Sequence, residues 1–390
     1  MTVSRLAISW QLSDTHGWGV FGLNLALNLL ERGEPRPLLL AEPYFQDVPA
    51  NALAGLAPLI AEQRQIQEQV LGPAGANTIN IGGAAVLHAL VNGFNHHDSV
   101  RGSVNIGVIF FERGPIGDEE RARAALYDRV IAGSSWNRDY ARTHGIANIE
   151  FVSQGIDAAI FHPGPKSGAH DGRFAIFSGG KIEMRKGQDL VLAAFKIFHA
   201  RHPEAILVTA WRNAWPESAV GMVNSVHIDH DPKVGADGEL MVKQWAVANG
   251  VDPDAFVDLG WVPNHQTATI LRDMDAAVFP NRCEGGTNLV AMEAMASGVP
   301  CVLSANTGHL DLIDGDNCYA LTDQRAVTER GGPVEMWRES QVEEIVEKLE
   351  AIHADRSEAM HRAARGAAFM ADLSWANQTA RLMAAISDLL

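Results

Sequence analysis

Three clusters in the sequence combine residue types and spacings suited to chemistry. The first is SGGKIEMRKG, Ser178 to Gly187, where Lys181, Arg185 and Lys186 crowd the turn between an apolar run and a helical pattern beginning near Gly187. Cations are unfavourable beside a helix N-terminus unless an anion joins them, so this turn reads as a diphosphate clamp rather than as a solvated helix start. The second is FPNRCEGGTNLVAMEAMASGVP, Phe279 to Pro300. Glu284 stands where a strand should end, Gly285 and Gly286 open a turn, and a helix is expected over 287–297, with Gly298 and Pro300 stopping it. Glu293 follows Leu289 and Val290 on an apolar stripe, where a carboxylate costs free energy unless it meets donors such as sugar hydroxyls. The N–H groups of Gly286, Thr287, Asn288 and Leu289 would face an anion at that helix start.

The third cluster is SDTHGWGVFG, Ser13 to Gly22. Gly17, Gly19 and Gly22 satisfy the G-x-G-x-x-G spacing of a dinucleotide loop, and Glu42 at the end of the next apolar run would supply the acid an NAD site needs. A tight turn that simply requires glycine explains the same residues. Trp18 in this loop, and Trp211 and Trp215 at another strand end, could cover the C–H face of a sugar or could pack. The segment VHIDHDP holds His227, Asp229, His230 and Asp231, but their spacing fits no zinc pattern, and a polar loop is the expectation.

The elements that must position these clusters alternate. Short apolar runs (LAISW, PLLLA, NTINI, VNIGVIFF, RVIAG, IEFVS) are separated by helical patterns, and a second series (RFAIFSGG, AILVTAW, AFVDLGW, DAAVFP, PCVLSA, CYALT) repeats the arrangement. Strand–helix alternation implies parallel sheets covered on both faces. The Gly- and Pro-rich residues 156–172 lack either periodicity and read as a linker. The expectation is two doubly wound, Rossmann-like α/β domains, 1–155 and 173–373, facing across a cleft, with ligands at the carboxyl ends of strands.

The chain has 390 residues, 31 Lys and Arg against 47 Asp and Glu, and a net charge of −16. That excess of acid disfavours a long-range pull toward nucleic acid or anionic lipid, though not a local basic site. The N-terminal residues lack the apolar stretch of a signal peptide, and no run approaches the roughly 18 residues that span a bilayer. A cytoplasmic location is expected, with membrane association not indicated. Cys283, Cys301 and Cys318 form no CxxC pair, so free thiols are expected rather than a disulfide framework or structural zinc.

Taken together, the motifs resemble the retaining nucleotide-sugar glycosyltransferases of the GT-B fold, specifically glycosyltransferase family 4. The resemblance rests on the glycine turn at 17–22, on YDRVIAGSS and GIDAAIFHP, on GKIEMRKG, on two glutamates ahead of EAMASGVP, and on a last helix beginning at Ser374 and Trp375. It implies that helix 374–390 returns to the first domain, which takes the acceptor, while the second domain takes a nucleotide-sugar donor, UDP or GDP. Lys181, Lys186 and Glu284 are then the catalytic set. Glu293 holds the ribose, Glu284 the donor sugar, and Trp261 and Val262 meet the base; Gly17, Trp18, Gly19 and Gly285 to Leu289 complete the donor contacts. No metal and no separate cofactor are implied, and the acceptor would be a saccharide or another small soluble molecule. Eight residues separate Glu284 from Glu293, one more than is usual in the family, so the intervening turn should be reshaped. Glu112 stands where many relatives have histidine, which leaves His16 and His88 as alternative acceptor-side residues. A GT-B nucleotide-sugar 2-epimerase and a nucleotide-sugar-binding pseudoenzyme are the rival readings.

Overall fold

In the computed structural model the described residues are 3–33, 35–68, 78–96, 99–329 and 332–390. The chain divides into two compact units, one of residues 1–155 and 373–390 and the other of residues 156–372.

The first unit holds a six-stranded sheet in the order β2-β1-β3-β4-β5-β6, from β1 (Arg5–Ile8), β2 (Arg36–Leu39), β3 (Ile79–Leu90), β4 (Val100–Ile109), β5 (Arg129–Ala132) and β6 (Ile149–Phe151). Every pairing in it is parallel. Its interior strand faces are Leu, Ile, Val and Ala, as a sheet covered on both sides requires. The strand order reverses between β1 and β3, which puts the expected ligand crevice outside their carboxyl ends. Helix α1 (Gly17–Arg32) starts there, capped by His16, whose Nδ1 accepts from Gly19 N at 3.1 Å. The C-terminal helix (Trp375–Ala385), capped by Ser374, belongs to this unit, and Trp375 stacks on Phe21 with ring centroids 5.9 Å apart.

The second unit repeats the plan with the order β12-β11-β10-β7-β8-β9, from β7 (Phe174–Gly179), β8 (Ala205–Ala210), β9 (Phe256–Asp258), β10 (Ala276–Phe279), β11 (Cys301–Ser304) and β12 (Tyr319–Leu321). Its pairings are also parallel. Here the order reverses between β7 and β10, so the clusters that follow these two strands, GKIEMRKG and NRCEGG, emerge side by side at the switch point. The three cysteines are buried thiols.

Two features lie beyond the sequence reading. Residues 156–172, expected as a linker, begin where the two units divide and carry side-chain ties: Lys166 Nζ donates to Asp275 Oδ1 at 2.7 Å, Ser167 N to Asp273 Oδ1 at 2.6 Å, and Arg272 to the carbonyls of Ile160 and His162 at 2.9 Å. These ties fasten an aperiodic segment to the second unit through side chains, which periodicity does not register. An antiparallel hairpin, β13 (Gln324–Glu329) and β14 (Gly332–Ser340), was also unforeseen, and it buries Val327, Met336 and Trp337.

Candidate active site

The donor-side cluster is built where β7 and β10 end. A 3-10 turn at Met184–Lys186 leads into a helix at Gln188–Arg201, and Gly187 between them has φ 74°. A Cβ at Gly187 would lie 2.4 Å from the Pro280 carbonyl oxygen, so only glycine lets the lysine turn approach the β10 loop this closely. Arg282 N then donates to Arg185 O at 2.7 Å.

That approach gathers charge. Lys186 Nζ lies 2.6 Å from Glu284 Oε1, and Arg185 Nη1 lies 3.2 Å from Glu284 Oε2 and 2.9 Å from the Cys283 carbonyl. Asn281 donates its amide to the same Glu284 carboxylate. Burial opposes the charge on Glu284, but Lys186 and Arg185 outweigh it and hold the carboxyl at about 2. Lys181, more exposed, pairs with Glu183 at 3.0 Å, which Arg185 also meets at 3.0 Å. Lys181, Lys186 and Glu284 therefore lie in one network, with Arg185 at its buried centre.

The turn after Glu284 runs into a helix at Leu289–Ala296, slightly shorter than expected. Asn288 caps it with φ 64° and makes no side-chain capping bond to the helix. On that helix Glu293 is buried, and Asn264 donates to its Oε1 at 2.7 Å. Burial pushes the Glu293 carboxyl up to about 8, with the Asn264 bond only partly offsetting it. Asn264 follows the loop of Trp261 and Val262, so the residues expected at the base and the glutamate expected at the ribose share one neighbourhood.

Sequence reasoning missed the supports of this site. Arg282, fully buried, forks onto Asp189 at 2.9 and 2.7 Å and reaches Glu339 on β14 at 2.7 Å. It thereby ties the lysine turn, the β10 loop and the hairpin together. An arginine immediately after an apolar strand end was the available signal. His309 is buried beside the same turn, with Nε2 accepting from Asn288 at 3.1 Å and Nδ1 facing Ser304 Oγ at 3.1 Å. Burial depresses it to about 4, so it is uncharged at neutral pH and acts as a hydrogen-bonding strut. Thr307 Oγ1 accepts from Glu284 N at 2.8 Å, adding a further strut.

In the first unit, His16 lies at the carboxyl end of β1 and burial lowers its pKa. Glu112 follows β4, with its backbone N–H donated to Asn92 Oδ1 at 2.8 Å. His88, fully buried two residues before the carboxyl end of β3, bonds Asn105 Oδ1 at 3.0 Å. The half-buried Trp18 packs edge-on against Trp10 and Phe110 at 5.2 and 4.7 Å. Gly17 has open space before its Cβ position, whereas a Cβ at Gly19 would meet Ser13 at 2.4 Å and one at Gly22 would meet Trp10 at 2.6 Å. Two of the three glycines thus serve helix packing. Trp211 is core, with Nε1 on Ser178 Oγ at 3.1 Å, and Trp215 is exposed. The HIDHD segment is a loop in which His227 pairs with Glu339 at 3.1 Å and Asn249 accepts from the N–H groups of Asp229 and His230.

Residues 164–382, more than half of the chain, match the profile described as family 4 glycosyltransferase in conflict systems. The chain belongs to this glycosyltransferase family. The fold of this transferase is that of GT-B enzymes of known structure. Sucrose-phosphate synthase from Thermosynechococcus elongatus aligns over 99% of both chains with a TM-score of 0.64 at 14% identity. HepE of Anabaena aligns over 100% of both chains in its complex with UDP (TM-score 0.60, 13% identity), and over 98% of this chain and 99% of its own in its complex with UDP-glucose (0.61, 13%). No curated protein sequence matches the transferase. Among the described residues no helix is long and apolar enough to cross a membrane.

Proposed function

We propose that this glycosyltransferase moves a sugar from a nucleoside-diphosphate sugar to an acceptor hydroxyl with retention of anomeric configuration and without a metal ion. The observation that carries the reading is the Lys186–Glu284–Arg185 cluster at the switch point of the second sheet. Breaking a glycosidic bond passes through an oxocarbenium-like state while the departing diphosphate gains negative charge. Lys186 is already held in place by Glu284, so it can meet that charge with little reorganisation, and Lys181 can join it from the more exposed side. The helix start at Leu289 adds its dipole. These groups supply the positive potential a metal would otherwise provide.

Glu293, largely protonated at neutral pH in the ligand-free protein, can exchange hydrogen bonds with ribose hydroxyls, while Trp261 and Val262 flank the base. Glu284 meets the donor sugar by yielding part of its contact with Lys186 to the diphosphate. HepE holds UDP and UDP-glucose in a fold of the same plan, which makes UDP the first base to test, with GDP second. His16, His88 and Glu112 are the acceptor-side residues of this reading, with a small saccharide as the acceptor class and the cytoplasm as its setting.

Release of UDP from a UDP-sugar should require acceptor, and NMR of the product should show the donor's anomeric configuration. Inverted product would overturn retention, and isomerised sugar released without acceptor would favour the epimerase. Activity should persist in excess EDTA; loss restored by Mg²⁺ or Mn²⁺ would contradict metal independence.

A further inference from the structure

At the amino-terminal end of the second sheet, just before β8 begins, His202, Glu204 and His353 come together, and one ligand atom from each lies within 4.8 Å of the others. His202 caps the C-terminal end of the Gln188–Arg201 helix, Glu204 immediately precedes β8, and His353 is in the last turn of the helix at Val342–Ala354. We propose that these three residues form a binding site for a divalent transition metal, zinc by preference, which staples the two helix ends to the sheet.

The spacing fits. Glu204 Oε1 lies 3.0 Å from His353 Nε2 and 3.7 Å from His202 Nδ1. Tetrahedral zinc with bonds of about 2.0–2.1 Å places its ligands about 3.4 Å apart, midway between those two distances. The tautomer fits as well. His202 Nε2 lies 2.8 Å from Glu350 Oε2, and a carboxylate there accepts the Nε2 proton and leaves the Nδ1 lone pair facing Glu204. With that tautomer, the Nδ1 lone pair and the Glu204 oxygen 3.7 Å away are placed so that one cation can bridge them. Two helix C-termini meet at the site, and their dipoles favour positive charge. Behind the rings, Phe198 packs on His202 at 4.5 Å and Phe174 on His353 at 5.0 Å, an apolar backing that holds both imidazoles in place. All three ligands are partly exposed, so the metal has a route in and a fourth position for water. Two imidazoles and one carboxylate suit zinc or cobalt better than magnesium or calcium.

The test uses tag-free, full-length protein stripped with chelator and titrated with Co²⁺ at pH 7.5. Tetrahedral d–d absorption should appear at one equivalent and be displaced by Zn²⁺, and Zn²⁺ should raise Tm. His353→Ala and Glu204→Gln should abolish the spectrum, and Glu350→Gln should weaken Zn²⁺ binding about ten-fold by removing the group that orients His202. Glu204→Gln keeps the size of the side chain and so serves if His353→Ala does not fold. Only the spectrum of hydrated Co²⁺, or a tetrahedral spectrum unchanged in these variants, would overturn the proposal.

Discussion

Glu284 opens a short turn and Glu293 lies in the middle of the helix that follows it, and both are almost inaccessible, with 4% and 6% of their surface exposed. Their charge states nonetheless diverge, one held at about 2 and the other pushed up to about 8. Burial alone raises any carboxyl; what separates the two is the company each keeps. Glu284 meets two cations and an amide, whereas Glu293 has Asn264 as its neutral partner. The first region is organised around fixed charge and the second around a neutral acid and its amide partner, a contrast that suits the separate roles proposed for them at a diphosphate and at a ribose.

The comparison breaks most readily at Lys186. Lys186→Ala should lower kcat by ~10² or more, the usual scale for losing a charge-stabilising group, in protein whose circular dichroism remains native. Near-wild-type turnover would detach the cationic turn from the leaving group. Glu293→Gln should act differently, raising KM for the donor about 10- to 100-fold, the 1–3 kcal/mol of a buried polar partner, with a smaller change in kcat. Equal losses in kcat and kcat/KM would instead place Glu293 in the transition state.

A third effect sharpens the contrast through protons. If ribose hydroxyls donate to Glu293, nucleotide binding favours its ionised form and releases a proton. UDP affinity should then rise with pH, by at most about ten-fold per unit, and level off above about 8. Calorimetry in buffers of different ionisation enthalpy would report that proton, and Glu293→Gln should remove it.

The smallest effect is on stability. Glu293 ionises at about 8 folded and near 4.5 unfolded, so its favourable contribution is complete below 4.5 and is lost as pH rises through 8. Glu284 has the opposite sign: its contribution is present above 4.5 and is lost as pH falls toward 2. Thermal melts should therefore show Glu293→Gln gaining on wild type by a few degrees at pH 8.5 and not at pH 5. An equal difference at both values would mean that Glu293 is not buried as a neutral acid.

Much of this was legible in the sequence, for identifiable reasons. The twelve sheet strands announced themselves as short apolar runs, and Lys181, Lys186, Glu284 and Glu293 stood out because charge at strand ends and on an apolar stripe has to be answered by something. The supports were not legible, because their partners are distant in the chain. Arg282 is answered by Asp189 and Glu339, and His309 by Asn288, and no local period links such pairs. The ties of the 156–172 segment were not legible for the same reason, since its anchors Asp273 and Asp275 lie about a hundred residues away. The glycine fingerprint at 17–22 is ambiguous for another reason: close packing of α1 needs Gly19 and Gly22 whether or not a phosphate is bound.

The most direct test of the diphosphate clamp is calorimetric titration of UDP and of uridine into wild type and Lys186→Ala. The account predicts that UDP binding weakens at least about ten-fold in the variant, the order expected for losing a charge-assisted hydrogen bond, while uridine binds both proteins alike. Undiminished UDP affinity in folded Lys186→Ala would contradict it.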